Sequence, residues 1–142
     1  MNKIAVVYWS GTGNTKAMAE AIAEGASTKN KEVFLLEAGV FDAEKVEEFD
    51  RIAFGCPSMG AEVLEEETFE PMFADCLPLL ANKEVALFGS YGWGDGEWMR
   101  DWEDRCKKEG IVLLREGLIC NEAPDDAAVE QCRSLGKLLS AD

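Results

Sequence analysis

Short apolar runs alternate along this chain with segments whose apolar residues recur at helical spacing. Ile4-Ala5-Val6-Val7-Tyr8 is a continuous run that stops at Ser10-Gly11. Such a run suits a parallel strand covered on both faces. Thr15, Met18, Ala19, Ile22, Ala23 and Ala26 then follow at the spacing of one helix face. Val33 to Leu36 predicts a second strand, and Asp42 to Glu48 a short, acidic, weakly helical stretch. Ile52 to Cys56 predicts the third strand, with a loop from Pro57 to Glu66 behind it. Phe69, Met72, Phe73, Cys76 and Leu77 predict a helix; Pro71 is tolerable only in its first turn, and Pro78 closes it. Val85 to Phe88 predicts a fourth strand, followed by a glycine-rich loop from Gly89 to Gly96. Trp98, Trp102 and Cys106 mark the next helix, with Asp95 as its expected N-cap. Ile111 to Leu114 and Leu118 to Cys120 read as a fifth strand interrupted by Arg115-Glu116-Gly117. Pro124 and Asp125 open a last helix carrying Ala128, Cys132, Leu135 and Leu139.

Strand–helix alternation with short connections predicts an α/β fold: a three-layer, doubly wound, five-stranded parallel sheet in a single domain spanning residues 1–142. Ligands of such sheets bind outside the carboxyl ends of the strands, at the topological switch point. The loops after strands one, three and four are therefore the places to look for chemistry.

Composition narrows the chemistry further. Fourteen basic residues against 28 acidic ones give a net charge of −14. That surface repels nucleic-acid phosphates and anionic lipid, and it attracts proteins with basic docking patches. The chain has no histidine, which removes Ser-His-Asp, Cys-His and His-metal chemistry together. Cys56, Cys76, Cys106, Cys120 and Cys132 are odd in number and lack CxxC spacing, so neither a disulfide framework nor a metal site is expected. No apolar run is long enough to span a bilayer, and none at the N-terminus has the form of a signal peptide; a cytoplasmic monomer is expected.

Three loops carry the functional signal. In Ser10-Gly11-Thr12-Gly13-Asn14-Thr15, two glycines let the backbone turn its N–H groups inward at a helix start. The hydroxyls of Ser10, Thr12 and Thr15 and the Asn14 amide add neutral donors, so the loop suits a phosphate. It is neither a Walker A loop nor a GxGxxG loop, because Lys16 stands where the third glycine belongs. In the second loop, Cys56-Pro57-Ser58-Met59-Gly60-Ala61-Glu62, Met59 offers a soft apolar side chain to a flat ring, Gly60 permits positive φ, and Glu62 can accept from a ring N–H. The third loop, Ser90-Tyr91-Gly92-Trp93-Gly94-Asp95-Gly96, displays an indole between glycines, positioned to stack on an aromatic cofactor. Together the loops specify a flat heterocycle with one terminal phosphate, and FMN is the candidate.

Tyr8 to Thr15, the Met59-Gly60 loop and Gly89 to Gly94 resemble the short-chain flavodoxins of anaerobic bacteria, over essentially the whole chain. The resemblance implies strand order 2-1-3-4-5, non-covalent FMN and single-electron transfer between redox proteins, with no substrate of the chain's own. It places the phosphate on residues 10–15, with Ser90 adding a donor and Ser58 in the ring-side loop. Met59 and Trp93 would flank the ring, Glu62 would accept from N3–H, and the Gly92 and Trp93 amides would face the pyrimidine carbonyl. Tyr91 and Gly94 complete that loop. The Gly60 carbonyl would turn towards N5 when the ring is protonated there. Two positions depart from the family pattern: Ala61 stands for a polar residue or glycine, and Pro57 for a serine found in some relatives. Ala61 disfavours positive φ at its own position and leaves that role to Gly60.

The acidic side chains Glu62, Glu65, Glu66, Glu67 and Asp95 near these loops are expected to make the reduced cofactor a strong donor. Each charge at ~10 Å and an effective dielectric of ~40 costs roughly 0.8 kcal/mol, on the order of 35 mV. An FMN-dependent NAD(P)H oxidoreductase is the main rival, but no second nucleotide site and no spare length are evident. A phospho-receiver would need acidic residues at the end of strand one, where Tyr8-Trp9-Ser10 stands instead.

Overall fold

A computed structural model describes residues 3–27 and 30–141; Met1 and Asn2, where the absence of a leader was read, lie outside it. The order of elements is β1 (Lys3–Tyr8), α1 (Asn14–Ala26), β2 (Glu32–Glu37), β3 (Arg51–Gly55), α2 (Phe69–Cys76), β4 (Glu84–Tyr91), α3 (Glu97–Lys108), β5 (Val112–Leu113), β6 (Leu118–Asn121) and α4 (Asp126–Leu139). All named strands pair in parallel, in the order β2-β1-β3-β4-β5, with β6 also on β4. This is the flavodoxin-like order expected above. The fifth position is shared by two strands. β5 follows the start of β4, at Glu84 and Val85, and β6 follows its end, from Phe88 to Tyr91. Leu114 to Gly117 bridges them, so the interruption read from the sequence is a gap in one edge ladder. Asp42 to Glu48 forms a 3-10 turn over Ala43–Glu48 rather than an α-helix.

Strand periodicity divides the core in two. Ala5, Val7, Ile52, Phe54, Val85 and Leu87 face α2 and α3. Their neighbours Ile4, Val6, Ala53, Ala86 and Phe88 face α1 and α4. Every one of these side chains is buried, as strands with continuous apolar runs require. On the first face Phe54, Phe69, Phe73 and Trp102 meet edge to face at centroid separations of 5.1, 5.5 and 5.6 Å. On the second face α1 and α4 touch backbone to backbone. A Cβ on Gly25 would fall on the Arg133 carbonyl, and one on Gly136 would fall on the Ile22 carbonyl.

The helix starts are built differently from one another. Asp125 caps α4, its Oδ1 accepting from the Ala128 N–H at 2.8 Å. Asp95, expected to cap α3, does not do so. Gly96 occupies the N-cap position with φ 94°, and Asp95 lies one residue earlier, bound to Arg100. Glu65 serves α2: its carboxylate accepts from the Glu67, Thr68 and Phe69 N–H groups at 2.8, 2.9 and 2.7 Å. Burial pushes this carboxyl up, but the three N–H bonds outweigh that and hold it below its ordinary value. Among the described residues, no helix is long and apolar enough to cross a membrane.

Candidate functional site

The carboxyl ends of β1, β3, β4 and β6 open into a cleft of ≈ 310 Å³. Ser10, Gly11, Thr12, Asn14, Thr15, Ser58, Met59, Ser90, Tyr91 and Gly92 line it, drawn from all three loops singled out in the sequence. Gly13, Gly60, Ala61, Glu62, Trp93 and Gly94 lie outside its walls, in the same three loops. Trp9 and Pro57, which belong to the first and second motifs but were given no ligand role, also line it, as does Glu122, which no motif includes. Glu122 belongs to the loop after β6, which the sheet brings to the same edge: its N–H donates to the Tyr91 carbonyl at 2.8 Å. The signal for it is topological, because every parallel strand ends at this edge.

The first loop is shaped by Ser10, whose Oγ accepts from the Gly13 and Lys16 N–H groups at 3.1 and 3.2 Å. That hydroxyl therefore builds the loop, while its own proton remains free to donate. Gly13 takes the α1 N-cap position at φ 99° without a side-chain cap. Gly11 lies under the Trp9 indole; a Cβ there would stand 3.1 Å from the ring. Thr15 and Ser90, read above as independent donors, are bonded to each other, Oγ1 to Oγ at 2.7 Å, and both are buried. The Ser90 N–H adds a longer contact to Thr15 Oγ1 at 3.4 Å. Whichever hydroxyl donates, the pair uses one of its two protons and leaves one for a ligand.

The second loop is a tight hairpin. Met59 and Val63 exchange both backbone hydrogen bonds, at 2.8 and 3.1 Å. Gly60 and Glu62 take the positive φ values, 42° and 56°, and Ala61 does not. The hairpin is tied to β4 by the Ser58 N–H donating to the Ser90 carbonyl at 3.0 Å. Glu62 folds its carboxylate against the third loop, so close to Gly94 that a Cβ there would stand 2.5 Å from Oε1. Glu62 Oε1 is buried and has no hydrogen-bond partner.

The third loop leaves Trp93 63% exposed, the most exposed large apolar side chain among the described residues. Its neighbour Tyr91 is held below by the Trp98 ring, 5.5 Å between centroids, and Trp98 Nε1–H donates to the Cys56 carbonyl at 3.2 Å. Not all nearby acids belong to this site. Glu65 is committed to α2, Glu70 pairs with Arg105 through two bonds of 2.8 and 2.7 Å, and Asp95 pairs with Arg100. The five thiols are buried and unpaired, and burial pushes Cys56, Cys76, Cys106 and Cys132 up to about 12 each. Among the described residues, no group of three or more carboxylates and thiols could hold a metal ion.

The flavodoxin family profile matches residues 6–136. The chain is 44% identical to a flavodoxin of Clostridium beijerinckii, covering 95% of this chain and 97% of that one. It is 42% identical to a flavodoxin of Megasphaera elsdenii, covering 94% and 96%. The solution structure of the two-electron reduced Megasphaera elsdenii flavodoxin superposes with a TM-score of 0.89 over 96% of this chain and 98% of that one, at 42% identity. A flavodoxin from the domain Archaea follows at 0.86 and 28% identity, covering 97% and 96%. The chain belongs to the flavodoxin family, the FMN-binding electron-transfer proteins.

Proposed function

We propose that this chain is a low-potential carrier that moves one electron at a time between redox proteins, with FMN held at the four-loop cleft. The observation that carries the reading is a set of complementary groups on the cleft wall and in the loops that form it. Neutral hydroxyl and amide donors gather at the α1 N-terminus, a buried carboxylate oxygen lacks a donor, and an indole stands displayed. These match a phosphate, a ring N–H and a ring face respectively, so the residues present fit the cofactor.

The redox chemistry belongs to FMN; the protein positions and tunes it. In this reading Ser10, Gly11, Thr12, Gly13, Asn14 and Thr15 hold the phosphate with N–H and O–H donors, with the last free proton of the Thr15–Ser90 pair among them. Among the described residues no Lys or Arg lines the cleft, and the helix terminus and backbone dipoles offset the phosphate charge. Met59 and Trp93 cover the ring, Glu62 Oε1 accepts from its N3–H, and Tyr91, Gly92 and Gly94 shape the wall beside it. The Met59–Val63 bridge pins the hairpin ends and leaves Gly60-Ala61-Glu62 as its tip. The Gly60 carbonyl, on a residue with φ 42°, is the group that would hold a proton at N5. Ser58 anchors the hairpin to β4.

Glu62, Glu66, Glu67 and Glu122 supply negative charge at this edge, which disfavours adding an electron and keeps the potential low. The same charge docks partners with basic surfaces, and the chain works as a single-domain monomer in the cytoplasm. An anaerobic dithionite titration tests the reading. A flavin spectrum that passes through a long-wavelength, half-reduced species near the midpoint supports it. Reduction in one two-electron stage overturns the one-electron role, and failure of the apoprotein to take up FMN overturns the cleft assignment.

A further inference from the structure

Positive charge is scarce around the ring-facing loops. Between Arg51 and Arg100 the sequence has one basic residue, Lys83, whose Nζ donates to the Phe49 carbonyl at 2.7 Å beside the start of β4. Arg100 is therefore the first cation after the third loop, and its placement runs against the preference of its own helix. It stands in the first turns of α3, where the aligned peptide dipoles favour anions over cations. Instead of pointing along the helix it reaches back. Nη1 donates to the Asp95 carbonyl at 3.1 Å and Nη2 to Asp95 Oδ1 at 3.0 Å. Asp95 is thereby kept from the α3 N-cap, which falls to Gly96 without a side-chain bond. The α3 start gives up its best cap so that one residue of the third loop is gripped by both backbone and side chain.

The grip reaches the second loop as well. Gly94, next to Asp95, backs directly onto the Glu62 carboxylate. The Asp95 hydrogen bond and charge raise Arg100 further above its ordinary value, and the charges of Glu97 and Glu62 add to this. One guanidinium thus sits within the field of both acidic groups that close the ring-facing loops.

We infer that Arg100 is a positioning residue: by clasping Asp95 it fixes the Trp93–Gly96 loop against Glu62, and it provides the counter-charge for the fully reduced cofactor. The inference rests on the FMN reading above. An exposed ion pair adds little to folding stability, so its loss leaves the fold intact and acts on the ligand. The two effects separate by substitution. Arg100→Lys keeps the charge but not the two-pronged grip, and Arg100→Gln loses both.

The test compares four apoproteins: wild type, Arg100→Gln, Arg100→Lys and Arg133→Gln. The last removes the same charge from α4 on the other face of the sheet, where Arg133 pairs with Glu24 and Glu130. The dissociation constant of oxidised FMN is measured by titration, and that of fully reduced FMN follows from the midpoint potentials by linkage. Both Arg100 variants should weaken oxidised FMN roughly fivefold, the loss of about one net hydrogen bond. Arg100→Gln should weaken reduced FMN by a further factor of about four, the effect of one charge over ~10 Å at an effective dielectric of ~40. Arg100→Lys should not show that further factor, and Arg133→Gln should show neither change. Amide hydrogen exchange at residues 93–96 of the apoprotein should quicken in both Arg100 variants. If wild type binds FMN while Arg100→Gln stays within about twofold of it in both oxidation states, the inference alone is overturned. Equal shifts in Arg100→Gln and Arg133→Gln also overturn it, since net charge then explains them. A wild-type apoprotein that takes up no FMN overturns the cofactor reading and this inference with it.

Discussion

Replacing Thr15 by Val removes one hydroxyl and leaves the side-chain volume almost unchanged. Thr and Val have similar helix propensities, so α1 is not directly weakened. The damage falls on Ser90, 4% exposed, whose Oγ loses its partner at 2.7 Å. Leaving a buried hydroxyl unpaired costs about 1–3 kcal/mol. With 142 residues and an unfolding entropy of ~2.1 cal/mol/K per residue, each kcal/mol lowers the melting temperature by about 3 °C. Thr15→Val should therefore melt ~3–9 °C below wild type as apoprotein. Ser90→Ala should fall by a similar or smaller amount, because Thr15 Oγ1 keeps the 3.4 Å contact with the Ser90 N–H. The double variant leaves neither hydroxyl stranded, so it should lose less than the sum of the two, with a coupling energy of about 1 kcal/mol. Denaturant melts of the four apoproteins measure this cycle, and FMN titrations of the same samples report on the proton left for the ligand. Additive single effects, within about 0.3 kcal/mol, would refute the idea that the two hydroxyls work as a unit.

Three further outcomes follow from features elsewhere. Trp93→Ala should weaken FMN by about 0.5–1.5 kcal/mol in a fluorescence titration, while moving apoprotein stability by less than ~0.5 kcal/mol because the indole is exposed; an unchanged affinity removes Trp93 from the ring face. Gly25→Ala should destabilise by ~1–3 kcal/mol in urea despite alanine's better helix propensity, since the new methyl meets the Arg133 carbonyl; a stabilised variant contradicts the close crossing of α1 and α4. Cys56, Cys76, Cys106 and Cys132 stay protonated in the folded chain up to about 12, whereas unfolded thiols ionise near ~8.5. Their contribution is complete below ~8.5 and is lost as pH rises towards the folded values, so urea melts should weaken by at least ~1 kcal/mol per pH unit above ~9. Resistance of the folded thiols to alkylation at pH 8, abolished by denaturant, checks the same burial.

Much of this arrangement is legible in the chain because local preference and tertiary need agree there. The runs at Ile4–Tyr8, Ile52–Cys56 and Val85–Phe88 are apolar at every position because both faces of each strand are covered. Ser10 to Thr15 is legible as the turn into α1 because glycines and hydroxyls are both suited to a backbone that turns inward at a helix start. Other features depend on long-range pairing that no local pattern encodes. Thr15 and Ser90 are 75 residues apart and meet only through the β1–β3–β4 register. Asp95 has the composition of an N-cap but is held by Arg100, and the cap position falls to Gly96. Glu65 looks like one of a row of surface acids, but its neighbours' N–H groups draw it inside. Glu122 and Glu62 adopt positive φ, which their residue type does not foretell. Glu122 joins the cleft solely because β6 ends beside β4.

The backbone contact between α1 and α4 also bears on the order in which the molecule can be completed. The Ser10–Thr15 loop follows the first strand, but the helix it opens is backed by α4, which follows every other described element. While a ribosome is still extending the chain, Ile22 and Gly25 face an empty groove, and α1 lacks the surface that fixes its angle to the sheet. A cofactor arriving then meets a first loop whose sequence is finished and whose support is not. Cofactor loading in the cell should therefore follow release of α4, and chains stalled before Asp126 should be recognisable as a population that cannot retain FMN.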